Sequence, residues 1–314
     1  MKKAFTLIEA IITIVIIGIL SAGTFVAMKH LYVKAAKSKA FSDLSSDSQI
    51  IADQVSSLLY QRVPSSVIGY KSDGTYGSIY NLGSTYNIIE WIGLSSEGLK
   101  AGYYSGFVDL NASNKNTLQI ASYDINTTGL NNILAKKFTG GNLNDLALVF
   151  AGSFDDGSLS LANDFNNSFG WHSSGAHHHL VFDVTLNTND ITLIPDASST
   201  NIVIYEKYYL VDSAYAIARG KDIDLNATCI TDLNQSDNSD TLFLFYDYRP
   251  WKNQTFCADP KGNGQSGSVS ILSKHVTGFQ AGLINGNLKF NLTLEKHIRG
   301  SDNNVSISKQ KVVF

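Results

Sequence analysis

The 314-residue chain is long enough for one large domain or two small ones, and an apolar fraction of 44% is ordinary for a protein that buries a core. Its formal charge of −3 and the lack of any long basic run argue against a dedicated nucleic-acid surface. Only four prolines and three tryptophans occur, while Gly, Ser, Thr, Asn and Asp crowd the chain from about residue 65 onward, a mixture suited to short strands joined by polar turns.

The chain opens Met1-Lys2-Lys3-Ala4, continues Phe5-Thr6-Leu7-Ile8-Glu9, and then runs uncharged from Ala10 to Met28. As a helix, this run would extend about 28 Å, close to the hydrocarbon thickness of a bilayer. A secretory signal peptide or a plain single-pass anchor would account for the length and for Lys2 and Lys3. Neither accounts for Glu9, because a carboxylate at the edge of an apolar span is costly unless something compensates its charge.

This segment resembles the leader of type IV prepilins and type II secretion pseudopilins, in which a short basic leader is cut just before Phe and Glu is the fifth mature residue. The resemblance implies cleavage between Ala4 and Phe5 by a prepilin peptidase on the cytoplasmic side of the bacterial inner membrane, followed by methylation of Phe5. It also implies that Glu9 pairs with the N-terminal amine of a neighbouring pilin, which would supply the missing compensation. Ala4 stands where the family usually has Gly. Val26 stands where major pilins usually have a helix-kinking Pro, which points toward a minor pilin or pseudopilin. Lys29, Lys34, Lys37 and Lys39 follow the span on its presumed outer side, against the positive-inside bias, so the leader motif rather than charge decides the orientation.

Beyond Met28 the helix is expected to continue to about residue 60, since Leu44, Ile51, Val55 and Leu58 recur at helical spacings, and Pro64 with Ser65-Ser66 ends it. Strands are expected at 86–93, 117–123, 146–151, 179–186, 202–211, 214–219, 241–248, 269–272, 287–294 and 305–314. The fold class is therefore α+β, with a long N-terminal helix packed on a large antiparallel β-rich domain. The expected organisation is a leader over 1–4, a transmembrane and filament-core helix over 5–28, an amphipathic continuation over 29–62 and a periplasmic or extracellular β domain over 63–314. Segments 208–219, 246–251 and 275–280 loosely resemble later strands of J-type minor pseudopilins and large minor pilins.

Cys229 and Cys257, the only cysteines, both follow the span and are expected to form a disulfide in an oxidising compartment. His172, His177, His178 and His179 could gather on a metal. Strand alternation sends adjacent histidines to opposite faces, however, so a solvated turn is the preferred reading and no metal or other cofactor is expected. Asp155-Asp156-Gly157 and the acidic stretch 232–240 leave calcium as an alternative to plain polar turns, although their spacing is not that of an EF-hand. Tyr208, Tyr209, Tyr246 and Tyr248 could form a binding face or simply occupy sheets, and Arg249 could serve a buried ion pair or a subunit contact.

Six segments fit Asp-x-Asn-x-Ser/Thr, with their asparagines at Asn111, Asn126, Asn166, Asn226, Asn234 and Asn304, more than independent placement of these residues would give. The pattern resembles the acceptor sequon of bacterial N-glycosylation, and turn formation by Asp and Asn is the competing explanation. No phosphate loop, nucleophile elbow, His-Glu-x-x-His or dinucleotide fingerprint is present, so no enzyme is expected. The expected function is a minor pilin or pseudopilin of a type IV pilus, type II secretion or competence filament. The alternatives are a filament-delivered adhesin or DNA receptor, and a membrane-tethered β domain that does not polymerise.

Overall fold

The computed structural model describes residues 6–79, 85–151, 167–172, 177–197, 199, 202–233, 238–262, 264–284, 286–298 and 304–313. Helix α1 (Leu7–Tyr60) is one uninterrupted element of 54 residues, about 80 Å long at 1.5 Å per residue. No proline falls within it, and Gln61 caps its end just before the Pro64–Ser66 turn. Its inner part buries Ala40, Leu44, Ser48, Ile51, Ala52, Val55, Ser56 and Leu59, spaced by threes and fours along one face. Leu58, expected in that stripe, lies at its half-buried margin, and Leu59 takes the core position.

The β domain contains β1 (Ile68–Tyr70), β2 (Tyr76–Ser78), β3 (Ile88–Leu94), β4 (Asp109–Asn114), β5 (Gln119–Ala121), β6 (Ala147–Phe150), β7 (Phe182–Leu186) and β8 (Asp190–Ile194). It continues with β9 (Tyr208–Arg219), β10 (Leu242–Tyr248), β11 (Thr255–Phe256), β12 (Gln265–Ser266), β13 (Ser268–Ser273), β14 (Val276–Ile284), β15 (Asn287–His297) and β16 (Asn304–Val313). Short helices α2 (Ser96–Lys100), α3 (Thr127–Lys137) and α4 (Thr228–Thr231) interrupt the strands. The fold is thus α+β and pilin-like, a long helix leading into a large antiparallel sheet domain.

Strand β9 organises the main sheet. One edge pairs with β3, while the opposite edge is shared by β6 at Tyr208–Val211 and by β10 at Ala214–Arg219. The sheet therefore forks at β9. One branch runs β6-β7-β8-β5-β4 and the other ends at β13. The sequence pattern breaks this strand in two at Asp212-Ser213, a pair that reads as a turn. In the fold the strand continues because the fully buried Asp212 carboxylate is met by Lys137 Nζ at 2.8 Å from the C-terminal turn of α3. Strand β7 starts at Phe182 rather than at residue 179, since Val181 N–H closes a turn on the His178 carbonyl.

Two faces of the sheet and its far branch carry three apolar clusters. Helix α1 belongs to the second, where Leu44, Ile51, Val55 and Leu59 meet Ile89 and Trp91 of β3, Ile217 of β9, and Phe279, Phe290, Leu292 and Leu294 of the separate β14-β15-β16 sheet. The alternation expected over 287–294 is observed, with Leu288, Phe290, Leu292 and Leu294 all buried.

Candidate functional site

The outer part of α1 has no core of its own. Leu7 is 80% exposed, and Ile8, Ile11, Ile12, Ile14, Val15, Ile16, Ile17, Ile19, Leu20, Phe25, Val26 and Met28 are exposed all round the helix. Among the described residues, α1 alone is long and apolar enough to cross a membrane, and none of its most apolar window is buried within the chain. A surface apolar on every side is matched by lipid or by other apolar helices, not by water. The two threonine hydroxyls within this segment are satisfied by its own backbone, Thr13 Oγ1 donating to the Glu9 carbonyl at 2.7 Å and Thr24 Oγ1 to that of Ser21 at 2.9 Å, which suits a non-aqueous surrounding.

Glu9 lies at the start of this helix in a capping box. Thr6 is the N-cap; its Oγ1 accepts from Glu9 N–H, and Glu9 Oε2 accepts from Thr6 N–H at 3.0 Å and from the Thr6 hydroxyl at 2.8 Å. Sequence reasoning passed over this Thr-x-x-Glu signal, which was legible in Thr6-Leu7-Ile8-Glu9. In an isolated subunit the carboxylate is thus held by hydrogen bonds near the positive end of the helix dipole, and among the described residues no cationic side chain pairs with it. Ala4 and Phe5, the expected processing residues, lie outside the described residues.

Cys229 and Cys257 form the expected disulfide, joining α4 to the turn after β11, with a Cα–Cα distance of 6.4 Å. Both half-cystines pack against the apolar cluster that contains Phe256, Ile230, Trp171 and Phe245.

The four neighbouring histidines separate into three environments. His172 enters the core. Its Nε2 lies 2.7 Å from Glu90 Oε1 and its Nδ1 3.1 Å from Asp259 Oδ2, while Tyr248 donates to Glu90 Oε2 and Tyr70 to Asp259 Oδ1. The Tyr70 ring stacks on the imidazole at a centroid distance of 4.2 Å. Burial alone would push the imidazole pKa down, but the Glu90 carboxylate and the contact with Asp259 outweigh it and raise the value to about 10. Asp259 is correspondingly held low: burial works against its charge and the hydrogen bond with His172 prevails. His172 adopts a left-handed φ of 45°, reached after Gly170 at φ 80°, where a Cβ would stand 2.6 Å from the Pro250 carbonyl. This cluster joins β1, β3, β10 and two loops through a cation held between buried carboxylates.

His178 is buried, its Nδ1 2.6 Å from the Val181 carbonyl. His177 and His179 turn outward and both approach Asp196, which follows β8. The expectation of a single solvated turn is thus corrected. His172 is a core residue, and in the turn before β7 His178 is buried while His177 and His179 both approach Asp196.

Of the tyrosines, Tyr208 and Tyr248 lie in the core and Tyr209 and Tyr246 are half-buried, which is sheet packing. Arg249 is buried in ion pairs with Asp247 Oδ1 at 3.0 Å and Asp145 Oδ1 at 3.4 Å. Asn111, Asn126, Asn226 and Asn304 are exposed, whereas Asn166 and Asn234 lie outside the described residues. So do Asp155-Asp156-Gly157 and part of 232–240, the stretches considered for calcium.

Residues 1–25 match the family model described as the prokaryotic N-terminal methylation motif. This motif, and the exposed apolar helix that continues from it into a β domain, support a type IV pilin-like protein, a class whose members are generally processed by prepilin peptidase and assembled with other pilin subunits. No curated protein and no solved structure matches the chain.

Proposed function

We propose that this protein is a minor pilin or pseudopilin: a leader over 1–4 is removed, residues 5–28 sit in the inner membrane and then in a filament core, and the β domain is carried at a filament tip or flank. The observation that carries this reading is the outer half of α1, apolar on all sides, unburied by its own chain and headed by Glu9. The size of the domain from residue 63 onward favours a sparse position, since so bulky a head is accommodated more easily at an end than at every subunit.

In this reading apolar contact among helices drives assembly, and Glu9 sets the register by receiving the Phe5 amine of a neighbour in place of, or beside, its own Thr6 N–H. Membrane insertion and leader cleavage need only the span and the leader. Glu9→Ala is therefore expected to insert and be cleaved normally while its recovery in sheared filaments falls at least several-fold. Recovery at the wild-type level would end the pairing hypothesis. Mass spectrometry of the mature N-terminus tests the processing directly, with a methylated Phe5 as the expected result.

A further inference from the structure

Antiparallel pairing of β7 with β8 through Asp183↔Ile194 lays the stretch before β7 alongside the stretch after β8. That places His177 and His179 on one side and Asp196 on the other of the same hairpin base. His177 Nδ1 lies 3.0 Å from Asp196 Oδ2 and His179 Nε2 lies 3.6 Å from the same oxygen, with all three potential ligand atoms within 4.8 Å of one another. Ligand atoms about 2.0–2.1 Å from a tetrahedral Zn²⁺ stand about 3.3 Å apart. The two distances to Asp196 bracket that edge, and the histidine-to-histidine edge lies within 4.8 Å.

Its surroundings are built to hold it. His178 N–H donates to Asp196 Oδ2 at 3.2 Å, fixing the carboxylate, and the His178 ring is tied to the Val181 carbonyl. The backbone of the turn is anchored by His179 N–H on the Asn167 carbonyl at 2.9 Å and Leu180 N–H on that of Ser168 at 3.0 Å. Exposure of the side chains falls from 43% at His177 through 21% at His179 to 9% at Asp196. The carboxylate thus forms the floor and the imidazoles an open mouth toward solvent.

We propose that His177, His179 and Asp196 form a binding site for a divalent transition-metal ion, Zn²⁺ by its two imidazoles and one carboxylate, clamping the two ends of the β7–β8 hairpin and leaving one coordination position for water. Two neutral imidazoles and a carboxylate suit a borderline ion better than the hard, all-oxygen preference of calcium or magnesium. Metal binding needs neutral imidazoles, so protons compete with the ion for the two histidines.

The test uses the untagged full chain in detergent, stripped with chelator and titrated with Co²⁺ and then Zn²⁺, read by metal analysis after dialysis, by visible d–d absorption and by thermal melting. The expected result is one equivalent of Co²⁺ with four-coordinate absorption, displaced by Zn²⁺, and a melting temperature that rises with added Zn²⁺. His177→Gln and His179→Gln should each lower affinity at least tenfold, and Asp196→Asn should do likewise. His297→Gln, which alters an exposed imidazole paired with Asn304, should leave binding unchanged. His177 is the most exposed of the three, so its variant keeps the test valid if Asp196→Asn fails to fold. No metal retained by the wild type, or undiminished binding by both histidine variants, would overturn the site and leave His177 and Asp196 as a simple hydrogen-bonded pair.

Discussion

The two ends of α1 share one backbone and answer to two different surroundings. From residue 40 onward, buried residues fall on one face at helical spacing, and that face is closed by β3, β9 and the C-terminal sheet. From residue 6 to residue 32 the apolar residues point in every direction and are all exposed. The first pattern describes a helix finished by its own fold; the second describes one finished only by lipid or by other subunits. Two glutamates mark the same contrast. Glu90 is buried in the domain beside His172 and Tyr248, its charge balanced within the molecule, whereas Glu9 is held, among the described residues, by the Thr6 cap and, in the proposed assembly, takes its cation from a neighbour.

The domain side of this contrast breaks hardest at His172. His172→Ala leaves two buried carboxylates facing each other without their cation, and a loss of about 3–5 kcal/mol is expected in urea denaturation. The pH dependence has a definite sign. Because the folded His172 pKa is raised from 6.5 to about 10, its stabilisation is complete below about pH 6.5 and lost as pH rises through 10. Asp259, held below its ordinary value of 3.8, contributes above that value and loses its contribution as pH falls further. The wild type should therefore be most stable between these limits and weaken toward pH 10, and the variant should lose that alkaline slope. An unchanged slope would show that the imidazole is not the group responsible.

Opening the disulfide tests the same self-sufficiency by another route. Cys229 and Cys257 are 28 residues apart, and closing a loop of that length stabilises by about 3–4 kcal/mol in the chain-entropy account. The double Cys→Ser variant should lose an amount of this order, measured by denaturation in detergent, without any change in membrane insertion.

The helix itself supplies a sharper comparison. Leu59 is fully buried and Ile14 is 70% exposed. Leu59→Ala should destabilise the domain by about 3 kcal/mol, whereas Ile14→Ala should leave domain stability within about 0.5 kcal/mol and act only on filament incorporation. A comparable loss of domain stability from both would mean that the outer half packs on its own domain after all.

Legibility in the sequence followed the range of the interactions. The membrane-length helix, its continuation and its end were legible because contiguous apolarity, helical spacing and Pro64 are local signals. The disulfide was legible because only two cysteines exist. Strand β9 was split because Asp212 can lie mid-strand only when Lys137, 75 residues away in the chain, reaches it. Strand β8 and helix α3 went unread for want of a strong local pattern. The histidines looked like one cluster because they adjoin in sequence. Glu90 and Asp259, which draw His172 away, come from 82 residues before it and from the turn after the second cysteine.

The smallest expected effect on stability, and the one most specific to a surface-displayed domain, concerns the Asp-x-Asn-x-Ser/Thr segments. Turn chemistry explains part of the pattern. Asp109 Oδ1 accepts from the N–H groups of Asn111 and Ala112, and Asp224 Oδ1 from that of Asn226. It leaves the Asn carboxamide itself unexplained at those two positions. At Asn126 the carboxamide caps α3 by accepting from Gly129 N–H, and at Asn304 it is bonded to His297 and Glu295. If the pattern records N-glycosylation, the exposed Asn226 and Asn111 should therefore be modified ahead of Asn126 and Asn304, whose carboxamides would have to leave structural bonds first. Intact-mass measurement on protein from its native host should show hexosamine-type increments, and peptide mapping should rank the sites in that order. A mass equal to the cleaved, methylated polypeptide would leave turn formation as the whole reason for the Asp and Asn, and the hydroxyl two residues on as coincidence. A ranking led by Asn126 or Asn304 would instead show that those two carboxamides are glycosylated before their bonds form, as modification ahead of folding would require.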